Sequence, residues 1–121
     1  MNLSDTKFGD AVLATVSGRI DLANADEFKN ALAGAQAKGK GALVLDMSGV
    51  EYISSAGLRA LMIVFKQGKA EGKPFAIAAL APLVKEIFTI SRFNLVFPLY
   101  ETVRDALQAH APASLPLFES R

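Results

Sequence analysis

Two adjacent serines, Ser54 and Ser55, stand at the head of an apolar, periodic segment and are the residues of this chain best placed to do chemistry. A serine just before a helix can act in two ways. Its hydroxyl can accept a hydrogen bond from an orphan amide one turn on and so cap the helix. It can also carry a phosphoryl group, because a helix start offers free N–H groups and partial positive charge. Phosphorylation would add about −1.5 to −2 charges at neutral pH. A partner covering the site would have to strip water from that charge, which opposes docking. Residue physics alone leaves both readings open, with capping the plainer one. Gly57 falls inside the first turn of the same helix, where it lowers helix propensity. Close approach of the backbone to a neighbour or to a partner is the expected compensation.

The other candidates for chemistry are weaker. Asp21 and Asp46 both follow apolar stretches. Paired carboxylates can serve as acid and base, but solvated acids at strand ends are the simpler reading. If they lie near the serines, their charge sharpens the effect of a phosphate. His110 is the single histidine and there is no cysteine, so it makes no convincing metal site. A place at a helix C-terminus suits His110 better. The order of elements brings no serine, histidine and aspartate together. Gly39-Lys40-Gly41 lacks the spacing of a phosphate-binding loop. The expectation is a protein that is not an enzyme and holds no cofactor.

The elements that must position the serines alternate between strand and helix. Ala11 to Ser17 reads as a strand ended by Gly18. Asn24 to Lys38 reads as a helix, with Ala25, Phe28, Leu32 and Ala35 on one stripe. Ala42-Leu43-Val44-Leu45 is a continuous apolar run closed by Asp46, as in a central strand buried on both faces. Met47 to Ile53 reads as a loop, and Ala56 to Ala70 as the second helix. At about 100° per residue, Leu58, Leu61, Met62 and Phe65 share its core face. Ile63 then falls beside Arg59, Lys66 and Gln67, either as a partner contact or as an isolated surface hydrophobe.

Phe75 to Ala79 reads as a strand, Pro82 as a first helical residue, and Leu95 to Leu99 as a weak edge strand because of Pro98. Thr102 with Asp105 resembles a capping box for a last helix through Ala109. Residues 3 to 8 offer a further edge strand. The pattern predicts an α/β fold: a four- to five-stranded, mostly parallel sheet packed against about four helices. Residues 1–110 are expected to form the domain and 111–121 an irregular tail. Leu115, Leu117 and Phe118 are apolar for a solvated end; they dock on the domain or a partner, or the end frays.

Composition narrows the class. Of 121 residues, 51% are hydrophobic and 21% charged, enough to build a core. Thirteen basic residues face twelve acidic ones without clustering, which argues against a nucleic-acid partner. The N-terminus is polar, without the apolar stretch of a signal peptide. The longest apolar run, Leu58 to Phe65, is too short to span a bilayer. A soluble, cytoplasmic protein without membrane insertion is the expectation.

Tyr52-Ile53-Ser54-Ser55-Ala56-Gly57-Leu58, preceded by Val44-Leu45-Asp46, resembles the phosphorylation segment of bacterial anti-sigma factor antagonists with the STAS fold. Ser17-Gly18-Arg19-Ile20-Asp21 is similar to that family's turn before its first helix. Pro82-Leu83-Val84-Lys85-Glu86-Ile87-Phe88 is similar to its third helix. The resemblance covers about residues 8 to 109. It implies a STAS fold and a partner-switching cycle. The unphosphorylated protein binds an anti-sigma factor that is also a serine kinase of the histidine-kinase-like ATPase type, and the sigma factor is released. The kinase then phosphorylates the antagonist, and a serine phosphatase resets it.

By this resemblance the acceptor is Ser55, with Ser54 as the alternative. The partner-binding positions are Asp21, Asp46, Ser54, Ala56, Gly57, Arg59 and Ile63. Sporulation-type members carry an aspartate where this chain has Ser54, which leaves two adjacent hydroxyls. A weak homodimer is compatible with the resemblance. So is another role: STAS domains also serve as accessory subunits of membrane transport systems for lipids or anions, where the serine need not be phosphorylated.

Overall fold

The computed structural model describes all residues from Met1 to Arg121. Five strands form one sheet in the order β1-β2-β3-β4-β5. They are β1 (Asn2–Phe8), β2 (Ala11–Ile20), β3 (Leu43–Ile53), β4 (Phe75–Ala78) and β5 (Leu99–Tyr100). β1 runs antiparallel to β2, and the other three pairings are parallel. The edge strand expected at residues 3 to 8 is present as β1. The helices are α1 (Ala25–Ala37), α2 (Ser55–Ala70), α3 (Pro82–Ile90), α4 (Val103–His110) and α5 (Leu115–Glu119).

Leu43–Leu45 of β3 and all of β4 are apolar and buried because both faces of the sheet are covered there. Leu43 and Leu45 enter the larger core, together with Phe28 and Leu32 of α1, Leu58, Leu61 and Val64 of α2, and Val84 and Phe88 of α3. Val44 points the other way, into a smaller core with Ala76, Ala78, Ala106, Leu107 and Leu115. Three helices thus cover one face of the sheet and α4 with α5 the other. No helix is long and apolar enough to cross a membrane.

Three expectations need correction. The first concerns Met47 to Ile53, which is no loop: it continues β3 and pairs in parallel with Ser17–Ile20 of β2. β2 likewise does not stop at Gly18, which keeps its place in the strand with a φ of +92°. The register shifts between Thr15 and Ser17 and again between Gly18 and Arg19. These irregularities bring Met47, Val50 and Ile53 inward at a spacing of three, so the alternation that marks a strand is lost.

The second concerns Leu95 to Leu99. Phe93–Leu95 is a 3-10 turn and the strand is only Leu99–Tyr100. Phe97 is buried instead, its ring 5.1 Å from Phe65 and 6.0 Å from Phe88. Pro98 cannot donate, but its carbonyl accepts from the Ile77 amide at 3.0 Å, so the proline sits on the sheet edge.

The third concerns the tail, which is ordered rather than irregular or frayed. A 3-10 turn at Pro112–Ser114 leads into α5. Leu115 is buried, and the Phe118 ring meets Phe8 edge-to-face at 5.7 Å. Arg104 Nε and Glu119 Oε1 pair at 3.0 Å. Proline at the second position of α5 is no obstacle, since a first-turn residue needs no amide donor.

Candidate functional site

The site is the junction where β2 and β3 end and α2 begins. Ile20 and Ile53 are register partners at the ends of the two strands. The Ser54 amide then donates to the Ile20 carbonyl at 2.8 Å, tying the start of α2 to the end of β2. Ser54 has an extended backbone and is the N-cap: its Oγ accepts from the Gly57 amide at 3.2 Å. Ser55 is therefore the first helical residue, and its side chain is exposed while Ser54 is half-buried. The choice between the serines that residue physics left open is thereby settled for capping: Ser54 caps and Ser55 does not.

Gly57 is buried, and a Cβ built there would stand 2.7 Å from Cγ2 of Ile20 and 2.7 Å from Cγ1 of Ile53. No side chain fits at that distance without a shift of buried neighbours. The close approach inferred for this glycine is thus to its own strand ends. Buried as it is, the glycine offers little surface of its own to the contact face expected from the sequence.

Asp21 and Asp46 part company. Asp21 follows Ile20 directly and shapes the turn into α1. Its Oδ1 accepts from the Ala23 amide at 3.1 Å. Its own amide donates to Asn24 Oδ1 at 3.0 Å, and Asn24 Nδ2 donates to the Arg19 carbonyl at 2.9 Å. The turn is held from both sides and lies beside the serines. Asp46 instead pairs with Thr15 and Ala78 in the middle of the sheet. Thr15 lies five residues before Ile20, and at about 3.3 Å per residue that sets Asp46 roughly 16 Å from the strand ends where the serines stand. Its Oδ1 accepts from the Ser48 amide at 2.9 Å. The expected pair of acidic neighbours is therefore reduced to Asp21.

Beyond Ser55, α2 and α1 bound an open groove of about 320 Å³ lined by Leu22, Ala25, Asp26, Lys29, Ala56, Arg59, Ala60 and Ile63. Ala56 and Ile63 are half-buried and Arg59 is exposed. Ile63 faces this groove rather than standing alone among polar residues. Leu22 is 83% exposed, an apolar side chain held out by the Asp21 turn. Sequence reading missed Leu22 and Lys29. The one available signal was an apolar residue immediately after the turn aspartate. His110 stays apart from all of this, its Nε2 within 2.9 Å of the Tyr100 hydroxyl at the end of α4. No group of three or more histidine, cysteine or acidic residues could hold a metal ion.

A family model described as the STAS domain matches residues 2–106. The chain belongs to the STAS domain family. This STAS domain is 35% identical over 116 residues to BtrV of Bordetella bronchiseptica, whose name describes a candidate anti-sigma factor antagonist. That match covers 96% of this chain and 99% of BtrV. It is 30% identical over 99 residues to the anti-sigma-F factor antagonist RsfB of Mycobacterium tuberculosis, covering 82% of this chain and 80% of RsfB. The crystal structure of an anti-sigma factor antagonist from Mycobacterium paratuberculosis superposes with a TM-score of 0.79 at 29% identity, covering 89% of this chain and 92% of that one. The five-stranded sheet with its single antiparallel edge is the STAS fold expected from the sequence.

Proposed function

We propose that this STAS domain is an anti-sigma factor antagonist, a protein-binding switch set by the charge on Ser55. The unphosphorylated form binds an anti-sigma factor that is also a serine kinase, and the sigma factor is released. The kinase transfers the γ-phosphoryl group of ATP to the Ser55 oxygen. ADP leaves, and the hydroxyl proton passes to a base or to solvent. A phosphatase restores the hydroxyl by hydrolysis. The docking face consists of Leu22, Ser55, Ala56, Arg59 and Ile63, with Asp21 at its margin.

One observation carries this reading: of two adjacent hydroxyls, Ser54 is engaged in the cap while Ser55 is exposed, one residue before Ala56 of an open groove that exposed Leu22 also lines. A kinase can therefore reach Ser55 without opening the helix. The names of BtrV and RsfB point to the same class of partner. Docking over Ser55 would strip water from the phosphate, and desolvating a charge costs several kcal/mol. Each 1.4 kcal/mol is about tenfold in affinity.

The test compares Ser55→Ala and Ser55→Asp by calorimetric titration against the cognate anti-sigma factor kinase. Ser55→Ala should bind as the unmodified protein does, and Ser55→Asp at least about tenfold more weakly, the equivalent of 1.4 kcal/mol. Equal affinities for the two variants refute the switch.

A further inference from the structure

We infer that Arg59 is an intramolecular clamp for a phosphate on Ser55, so that modification withdraws the groove's free cation as well as adding negative charge. The inference rests on Ser55 as the acceptor. On a helix, residues four apart are neighbours, about 5–6 Å between Cβ atoms. Ser55 and Arg59 stand in that relation on α2, and both are exposed. An acidic group N-terminal to a basic one at this spacing is the favourable orientation. A guanidinium also presents a planar fork that matches two phosphate oxygens.

The spacing separates the two serines. Position 54 has Gly57 three residues on and Leu58 four residues on, and neither carries charge. Arg59 therefore serves a phosphate at position 55 and not one at position 54. Arg59 makes no ion pair in the unmodified protein. The groove's other cation, Lys29, lies 3.9 Å from Asp26 on its own helix. In the unmodified protein Arg59 thus points its charge at whatever covers the groove. Once Ser55 carries phosphate, the same guanidinium turns inward along α2.

The experiment uses the full chain with phosphoserine placed genetically at position 55, so no kinase is needed. Phosphorus NMR follows the second ionisation of the phosphate in the wild type and in Arg59→Gln and Arg59→Lys. Removing the guanidinium should raise that ionisation by about half a pH unit, the direction given by loss of a nearby opposite charge. Arg59→Lys should fall between. With phosphoserine at position 54, Arg59→Gln should leave the titration unchanged. Identical titrations at position 55 with and without Arg59 overturn the clamp, as does an equal effect at position 54. Failure here leaves the Ser55 switch standing, because that is decided by the affinities of Ser55→Ala and Ser55→Asp.

Discussion

Replacing Gly57 with alanine tests how α2 is seated on the strand ends. The new methyl would meet Cγ2 of Ile20 and Cγ1 of Ile53 at 2.7 Å each, and Cδ1 of Ile53 at 3.2 Å. Both isoleucines are buried, at 0% and 1% exposure, so neither can swing into solvent. Overpacking of this kind costs about 1–3 kcal/mol. Against it stands the helix propensity of alanine over glycine, at most about 1 kcal/mol. The clash wins, and a net loss of about 1 kcal/mol is expected.

Gly34 provides the contrast. It lies in α1 and a Cβ there would meet nothing within 4 Å. Gly34→Ala therefore collects the propensity term alone and should gain about 0.5–1 kcal/mol. The same chemical change should thus move stability in opposite directions at two helical glycines. Urea unfolding followed by far-UV circular dichroism reads both, since the chain has no tryptophan for fluorescence. With a slope of about 1–3 kcal/mol per molar urea, the two midpoints should separate by roughly 0.5–2 M. A Gly57→Ala midpoint at or above that of the wild type would show that the isoleucine contacts yield freely and that the small residue is not what seats the helix.

Two further outcomes use the same assay. Ser54→Ala should lower stability by about 1 kcal/mol through loss of the cap, whereas exposed Ser55→Ala should stay within about 0.5 kcal/mol of the wild type; equal losses would contradict the division of labour between the serines. Leu115→Ala should cost about 2 kcal/mol or more, as expected for a buried leucine, and a loss below about 0.5 kcal/mol, the range of surface substitutions, would show that α5 is not part of the core.

Much of the fold was legible because several signals coincided. Leu43 to Leu45 read as a central strand since an unbroken apolar run needs cover on both faces, and Val44 does face the second core. The capping reading of Thr102 rested on local chemistry, and its Oγ1 accepts from the Asp105 amide at 3.0 Å. Met47 to Ile53 was not legible because register shifts replace the two-residue alternation. The tail misled for a different reason: Pro112 and Pro116 look like breakers, yet both fall in the opening turns of short helical segments. At the site, sequence placed a serine at the start of α2 but not which one caps. That depends on backbone conformation, and Ser54 has φ −84° and ψ 172° while Ser55 is helical. The distance of Asp46 from the serines was equally hidden, because it follows from β3 continuing where a loop was expected.

The serine at position 54 departs from the aspartate of sporulation-type members, and the cap explains how the helix tolerates it. Serine and aspartate are nearly equal as N-caps, and Ser54 keeps that bond through its Oγ. What changes is charge. An aspartate here would set a full negative charge next to Ser55 in both states of the proposed switch. With serine, the unmodified site carries no charge of its own at either position, and phosphorylation takes it to about −1.5 to −2. Under the proposed switch, the contrast between states is therefore larger relative to its starting point, and the phosphate would form without a like charge at the adjacent position. The acid that remains nearby is Asp21, whose Oδ1 accepts from the Ala23 amide. Ser54→Asp should then keep the urea midpoint of the wild type, yet weaken calorimetric binding of the unmodified protein to the cognate anti-sigma factor, because the added charge would be desolvated on docking; unchanged affinity would refute this account of position 54.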